Sequence, residues 1–171
     1  TSWSPGTPAF VEVTEEWGLS EVWGFRVSVT DIDADGWPDI LTRRGSGPED
    51  FATQEGRKRW VLRNNGESFE DVTESSGMFT GRLDGVSGSL PGELIISGDV
   101  DNDGDMDIFT AVDRLDIFDD SVETSDLLLN DGQGNFSLAP NNDVFRGLLS
   151  VPVGAAFTDV DRDGNLDLWV T

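Results

Sequence analysis

The sequence contains no cysteine, no histidine and no tyrosine, and it has a single lysine, Lys58. Without cysteine the chain has neither a disulfide framework nor a thiolate metal site. The lack of histidine removes the usual general base and the usual transition-metal ligand. No apolar run approaches the roughly 18 residues that a membrane-spanning helix requires. The composition therefore argues against redox, transition-metal and membrane-spanning functions.

Positive charge is also scarce: 34 acidic residues against 11 basic ones give a net charge of −23. Nucleic acid binding is not expected, because phosphate recognition depends on clustered positive charge. The length suits a single domain, residues 1–171. The chain begins at Thr1 rather than at a methionine, so we expect an exported mature chain or an excised fragment. We expect it outside the cell or at the cell surface.

What the sequence does contain is an acidic nine-residue pattern, D-x-D-x-D-G-x-x-D, at residues 31–39, 99–107 and 159–167. Calcium takes six to eight oxygen ligands, and glycine at the sixth position permits the sharp turn around the ion. We assign side-chain ligands to positions 1, 3, 5 and 9 and a backbone carbonyl ligand to position 7. About three Ca²⁺ ions are expected. The predicted ligands are Asp31, Asp33, Asp35, Trp37 and Asp39, then Asp99, Asp101, Asp103, Asp105 and Asp107, then Asp159, Asp161, Asp163, Asn165 and Asp167.

Two other interpretations of this pattern are weaker. A solvated acidic turn would explain one copy, because aspartate suits turns, but it does not explain three copies in register. An EF-hand needs an acid at position 12, where this sequence has Thr42, Thr110 and Val170. The short β-branched and aromatic runs that follow each loop indicate strands instead.

The residues around each loop predict a repeat of four short strands. Asn-Asn-Gly at 64–66 and Asn-Asp-Gly at 130–132 lie between apolar runs, as in tight hairpins. The pattern of Phe10–Glu15 recurs as Phe69–Glu74 and supplies a fourth strand. The predicted strands are Arg26–Thr30, Asp39–Thr42, Trp60–Asn64 and Phe69–Thr73, then Leu94–Gly98, Asp107–Val112, Asp126–Asn130 and Phe136–Leu138, then Val153–Thr158 and Asp167–Thr171.

This organisation predicts an all-β protein built from four-stranded antiparallel blades of the β-propeller type, with about two and a half repeats. The calcium loops would connect the first and second strands of each blade. The predicted division is a lone strand at 9–14, a first blade at 22–73, a second at 92–139 and half a blade at 153–171.

With these loops and hairpins the chain resembles the FG-GAP/VCBS repeat family, the calcium-binding blades of integrin α-subunit-like propellers. The resemblance covers about residues 9–171 and implies the same twelve aspartates as side-chain ligands. The chain departs from the family in its number of blades, because it has about two and a half and propellers typically use 4–8. Either the chain is part of a longer propeller, or copies complete one another, with Phe10–Thr14 adding to the open Asp167–Thr171 blade of a neighbour. The second alternative would produce a ring or a fibril.

The function predicted from these patterns is a structural or adhesive extracellular module that binds calcium and is not an enzyme. A non-catalytic carbohydrate-binding module of a larger secreted protein is the alternative, with glycans as ligands. Among the tryptophans, Trp60 and Trp169 are expected in the core, and Trp37 is the best candidate for an exposed ring. Asn135 begins the single Asn-x-Ser sequon, whose glycosylation depends on the source.

Overall fold

The computed structural model of the protein describes residue 6 and residues 9–24, 26–43, 59–80, 94–111, 125–142, 144 and 154–171. Within these ranges it contains ten β-strands and no α-helix. The strands are β1 (Arg26–Thr30), β2 (Asp39–Arg43), β3 (Arg59–Asn64), β4 (Phe69–Asp71), β5 (Leu94–Gly98), β6 (Asp107–Ala111), β7 (Asp126–Asn130), β8 (Phe136–Leu138), β9 (Ala155–Thr158) and β10 (Asp167–Val170).

These strands form three antiparallel sheets. The first has the order β1-β2-β3-β4, the second has the order β5-β6-β7-β8, and β9 pairs with β10 in the third. Each sheet is a meander in which consecutive strands are antiparallel neighbours. The prediction of an all-β fold with four-stranded antiparallel blades is confirmed. The sheets lie inside the ranges 22–73, 92–139 and 153–171, whose grouping into one domain stays a prediction.

The predicted lone strand at residues 9–14 has no partner strand within the described part of the chain, and its pairing with a neighbouring copy stays a prediction. A turn begins at Thr14, the last residue of the predicted segment. The Trp17 N–H donates to the Val13 carbonyl at 3.0 Å, and the Leu19 N–H donates to the Thr14 carbonyl at 2.8 Å. In the described structure no sheet covers the side chains of this segment: Phe10 is 91% exposed.

The turn after residue 13 is one of a pair, and each turn binds the outer strand of the sheet that follows it. In the first, the Trp17 carbonyl accepts a hydrogen bond from the N–H of Phe69 in β4 at 3.1 Å. In the second, the Ser76 carbonyl accepts one from the N–H of Phe136 in β8 at 2.7 Å. In the second copy of the Phe-to-Gly pattern, Phe69–Asp71 form β4 and the residues after them form the turn, so the pattern encodes an outer strand followed by a connection between repeats.

The core lies between the first and second sheets. On the side of the first sheet, Leu41 and Val61 are cross-strand partners, and both are fully buried. On the side of the second sheet, Ile108 and Leu128 are paired in the same way and also buried. Burial of each such side chain contributes about 1.5–3 kcal/mol. The cluster is completed by Ile32, Met78 and Phe136.

The two tryptophans predicted to be core residues differ in burial. Trp60 on β3 is buried, as predicted. Trp169 on β10 is 65% exposed, so the prediction is wrong for this residue. Its strand pattern matches that of Phe109 on β6, which is fully buried. The difference arises because no described residue covers the Trp169 face of the two-stranded third sheet.

Candidate metal sites

The three acidic loops occupy the same place in their sheets. They join β1 to β2, β5 to β6 and β9 to β10, each time between the first and second strands. Positions 4 and 6 have positive φ in all three loops. The φ values are 57°, 60° and 65° at Ala34, Asn102 and Arg162, and 90°, 100° and 93° at Gly36, Gly104 and Gly164. Glycine adopts this conformation without strain, which explains its place at the sixth position.

The loop conformation brings the carboxylates of positions 1, 3 and 9 together. In each loop, one oxygen from each of the three lies within 4.8 Å of the others. The groups are Asp31, Asp33 and Asp39; Asp99, Asp101 and Asp107; and Asp159, Asp161 and Asp167. Three convergent carboxylates are the donor set that a hard cation such as Ca²⁺ prefers.

Two oxygen atoms in these groups are buried without a hydrogen-bond partner, Oδ1 of Asp33 and Oδ1 of Asp99. A buried carboxylate oxygen without a partner costs several kcal/mol of desolvation that nothing offsets. A divalent cation in the loop would supply the missing interaction. The residues of the first two loops therefore fit a metal ion by charge, by geometry and by these unsatisfied atoms.

The carboxylates of position 5 lie outside these groups and bond to their own loops. Oδ1 of Asp35 accepts the Trp37 N–H at 2.7 Å, and Oδ1 of Asp103 accepts the Asp105 N–H at 3.0 Å. In the third loop Oδ1 of Asp163 accepts the Asn165 N–H at 2.8 Å, which lowers the pKa of Asp163. Ligation by positions 5 and 7 stays a prediction.

The aspartate at position 9 also organises its sheet. In the first sheet, Oδ2 of Asp39 accepts the Ile32 N–H at 2.8 Å, and Oδ1 accepts the Asn64 N–H at 2.7 Å. Asp39 is fully buried, and this burial raises its pKa, while the two N–H groups counter the rise. The single carboxylate thus joins the loop at position 2 to the end of β3.

The second sheet repeats this arrangement. Oδ2 of Asp107 accepts the Val100 N–H at 2.9 Å, and Oδ1 accepts the Asn130 N–H at 2.9 Å. Asp107 is also fully buried, and burial raises its pKa. In the third loop Oδ2 of Asp167 accepts the Val160 N–H at 3.0 Å, although Asp167 is exposed.

Two asparagines support the sites and were not predicted to do so. The side-chain Nδ2 of Asn64 donates to the Pro38 carbonyl at 3.1 Å, and Nδ2 of Asn130 donates to the Met106 carbonyl at 3.1 Å. Their Oδ1 atoms accept the backbone N–H of Gly66 and Gly132, respectively. Both asparagines begin the Asn-Asn-Gly and Asn-Asp-Gly sequences, and the hairpin turns that these sequences predict do not indicate the bonds to the acidic loops.

Neighbouring loops also contact one another. Nδ2 of Asn130 donates to the carbonyl of Ile32, in the first loop, at 2.8 Å. Nδ2 of Asn102, in the second loop, donates to Oδ1 of Asn165, in the third, at 3.3 Å. The loops therefore share one rim of the molecule, where their negative charges add.

The fold and the loops define a class of protein: all-β repeats with an acidic loop between the first two strands of each sheet. Residues 99–170 match the model of the FG-GAP-like repeat. This range contains the second and third acidic loops and strands β6 to β10. These residues therefore carry an FG-GAP-like repeat, as the sequence resemblance predicted. A comparison with curated proteins finds no match. Within the described residues, no helix is long and apolar enough to cross a membrane.

Proposed function

We propose that the chain is an extracellular calcium-binding module with a structural or adhesive role, and that it binds one Ca²⁺ in each acidic loop. The observation that carries the proposal is the convergence of three carboxylates in every loop, with buried unpartnered oxygens at Asp33 and Asp99. Carboxylates this close repel one another in the absence of a cation. Extracellular calcium modules have dissociation constants of about 10⁻⁴–10⁻³ M, and loops of that affinity would be filled only where calcium is abundant, as it is outside the cell.

The proposed role is not catalytic. The clustered carboxylates are assigned to the ions, and a carboxylate bound to Ca²⁺ has a lowered pKa that removes it from proton transfer. The ions act as folding ligands, because each loop connects two strands that the ion holds at a fixed separation. At a hundredfold excess over Kd, one site contributes about 2.7 kcal/mol to the free energy of unfolding.

Calorimetric titration of the chelator-treated protein with CaCl₂ tests the proposal directly. We expect about three ions bound per chain and a melting temperature that falls by several degrees when a chelator is added. Magnesium at the same concentration should protect less, because it demands a smaller octahedral site and dehydrates reluctantly. No heat of binding together with an unchanged melting temperature in chelator would refute the calcium proposal.

We further propose that copies associate head to tail through the uncovered faces of the first and third sheets. On the first sheet, Val27 is 60% and Val29 58% exposed, whereas Ile95, at the equivalent position of the second sheet, packs against the core. On the third sheet, Trp169 is exposed where Phe109 of the second sheet is buried. The contact between the first two sheets supports this proposal, because Ile95 packs there against the core that the two sheets share. Strand addition by Phe10–Thr14 to the Asp167–Thr171 blade of a neighbour remains a second route to the same assembly.

Sedimentation and electron microscopy in calcium test the self-association. We expect rings or fibres, because a head-to-tail contact either closes or continues. The double substitution Val27→Ser and Val29→Ser should dissolve them, whereas the exposed Val160→Ser on the third loop serves as a matched control. A monodisperse monomer of the unsubstituted chain in calcium would contradict the proposal and would leave these faces to other parts of a longer protein.

A carbohydrate-binding module is a second candidate, favoured by Trp37. Its ring is 49% exposed beside the first loop and lies against Gly66, where an added Cβ would be 2.8 Å from Cε2. A ring held in this way can stack on a sugar. Calcium-dependent retention of a monomer on immobilised polysaccharide, lost in Trp37→Ala, would support this function over self-association.

A further inference from the structure

An arginine distinguishes the first acidic loop from the second. Arg63, on β3, places its Nε 3.9 Å from Oδ2 of Asp33, the position-3 carboxylate of the first loop. Its Nη2 donates to Oε2 of Glu70, on β4, at 2.7 Å. Arg63 and Glu70 are cross-strand partners, so the register of the sheet sets this geometry.

The second repeat has no such cation in the described residues. The residues in the places of Arg63 and Glu70 are Leu129 on β7 and Ser137 on β8, which are cross-strand partners in the same register. Neither carries a charge. The two repeats therefore offer an internal comparison in which the backbone and three convergent carboxylates are the same and the cation differs.

The position of Arg63 is fixed rather than incidental. Glu70 anchors the guanidinium, and this hydrogen bond together with the nearby carboxylates of Glu70, Asp33 and Asp39 raises the pKa of Arg63. The guanidinium is charged at every working pH. Asp33 is the less exposed partner, with 16% of its side chain accessible against 36% for Arg63. A charge held against a half-buried carboxylate is screened less than one in open solvent.

We infer that Arg63 is an affinity-setting residue that competes with the cation for Asp33, so that the first loop binds Ca²⁺ more weakly than the second. The inference rests on the proposed function, namely that the loops bind calcium. In the metal-free protein Arg63 supplies the positive charge that Asp33 lacks. When an ion enters the loop, the guanidinium that Glu70 holds in place repels it. The first loop therefore fills after the second as the calcium concentration rises.

Coulomb's law sets the size of the effect. A unit charge about 6 Å from a divalent ion in a water-like dielectric changes its affinity about tenfold, and physiological salt reduces this change. Removing the charge of Arg63 should therefore tighten calcium binding at the first loop by about three- to tenfold.

The test isolates the first loop. In a background with Asp101→Asn and Asp161→Asn, which disable the other two loops, CaCl₂ titration by calorimetry should show a three- to tenfold lower Kd for Arg63→Gln. Arg63→Lys, which keeps the charge, is the matched control and should stay close to the parent. Terbium binding followed through Trp37 gives an optical reading of the same loop, and Trp37→Phe should remove that signal.

The reciprocal experiment uses the second loop. In a background with Asp33→Asn and Asp161→Asn, Leu129→Arg should raise the Kd for calcium by a similar factor, whereas Leu129→Gln should not. Arg63→Gln also has a readout without metal. In chelator its melting temperature should fall below that of the parent, because Asp33 loses its counter-ion, and saturating calcium should remove or reverse this difference.

The outcomes separate the inference from the proposed function. If the parent background binds calcium and Arg63→Gln binds it equally or more weakly, Arg63 does not set the affinity, and the calcium proposal stands. If neither the parent nor Arg63→Gln binds calcium or terbium, the calcium proposal fails for the first loop and the inference fails with it. Binding by Arg63→Gln alone would support the inference in its strongest form.

Discussion

The side chain of Asn130, at the end of β7, donates from Nδ2 to the main-chain carbonyl of Ile32 at 2.8 Å, and Ile32 lies in the acidic loop of the preceding sheet. The Ile32 N–H in turn donates to Asp39. The backbone N–H of Asn130 donates to Asp107. The two buried aspartates are therefore linked through Asn130 and Ile32, from one sheet to the next.

We predict that Asn130→Ala destabilises the protein more than Asn64→Ala. Asn64 occupies the same hairpin position, and in the described part of the chain its side chain donates only to Pro38. Each lost hydrogen bond costs about 1 kcal/mol, and a buried acceptor left without a partner costs about 1–3 kcal/mol. Urea unfolding in calcium measures both variants. Asn130 Oδ1 also accepts the Gly134 N–H at 3.2 Å, so equal losses would mean that neither this bond nor the one to Ile32 contributes net stability.

Positions 3 and 9 of the loop should respond differently to the exchange of aspartate for asparagine. In Asp39→Asn the amide would face the N–H of Ile32 or of Asn64, so we expect a loss of about 2–4 kcal/mol even in chelator. In Asp33→Asn one oxygen has no hydrogen-bond partner and the other only faces Arg63 Nε at 3.9 Å, so the metal-free protein should lose at most about 1 kcal/mol. Both variants should lose calcium affinity. Thermal unfolding in chelator and in calcium separates the two effects, and a large loss for Asp33→Asn in chelator would contradict this assignment.

The turn between the first two repeats should tolerate no side chain at Gly77. Its φ is +70°, and an added Cβ would lie 2.8 Å from the Phe136 carbonyl oxygen. The equivalent Gly18 has a φ of +76°, but the nearest atom to its added Cβ is the Phe69 carbonyl oxygen at 3.5 Å. Gly18→Ala should cost about 1–2 kcal/mol for the left-handed conformation alone. Gly77→Ala should lower the free energy of unfolding clearly more, which denaturant unfolding would measure. A loss equal to that of Gly18→Ala would mean that the turn shifts to make room for the side chain.

Calcium stabilisation should weaken as the pH falls. Burial raises the pKa of Asp39 and Asp107, so at these groups the folded metal-free protein binds protons more tightly than the unfolded chain does. Their contribution to the metal-free stability is therefore present at low pH and is lost as the pH rises through the folded pKa. Calcium requires the ionised form. The rise in melting temperature caused by calcium should thus be larger at pH 7 than at pH 5, and calorimetry at both values checks it. An equal rise at both values would contradict the coupling.

The strands and loops were predictable because local signals agreed. The D-x-D-x-D-G-x-x-D pattern placed three turns, and the apolar residues after them placed β2, β6 and β10. The predicted bounds of β1, β5 and β7 are those of the structure. Alternation in Phe10–Thr14 indicates a preference for a sheet but does not indicate whether a partner strand is present. The burial of Trp169 was not predictable for the same reason, because the strand pattern does not indicate whether another sheet covers the ring.

The finer organisation of the site needed coordinates. The sequence identified Asp39 and Asp107 as ligands, but their bonds to Asn64 and Asn130 connect residues 25 and 23 positions apart. The contact between Arg63 and Asp33 depends on sheet register and on the direction of a long side chain. Contacts between distant segments of this kind leave no periodic trace in a single sequence.

The connection of each turn to the outer strand of the following sheet defines the exchangeable unit of this architecture. Because the Trp17 carbonyl binds Phe69, and the Ser76 carbonyl binds Phe136, a sheet excised from its first strand to its fourth would leave its outer edge without its anchor. A transplantable segment instead starts at the turn, near Val13, and continues to the end of β4. Gene fusions and swaps made at these boundaries would keep the bond between the turn and β4, whereas cuts just before β1 would sever it.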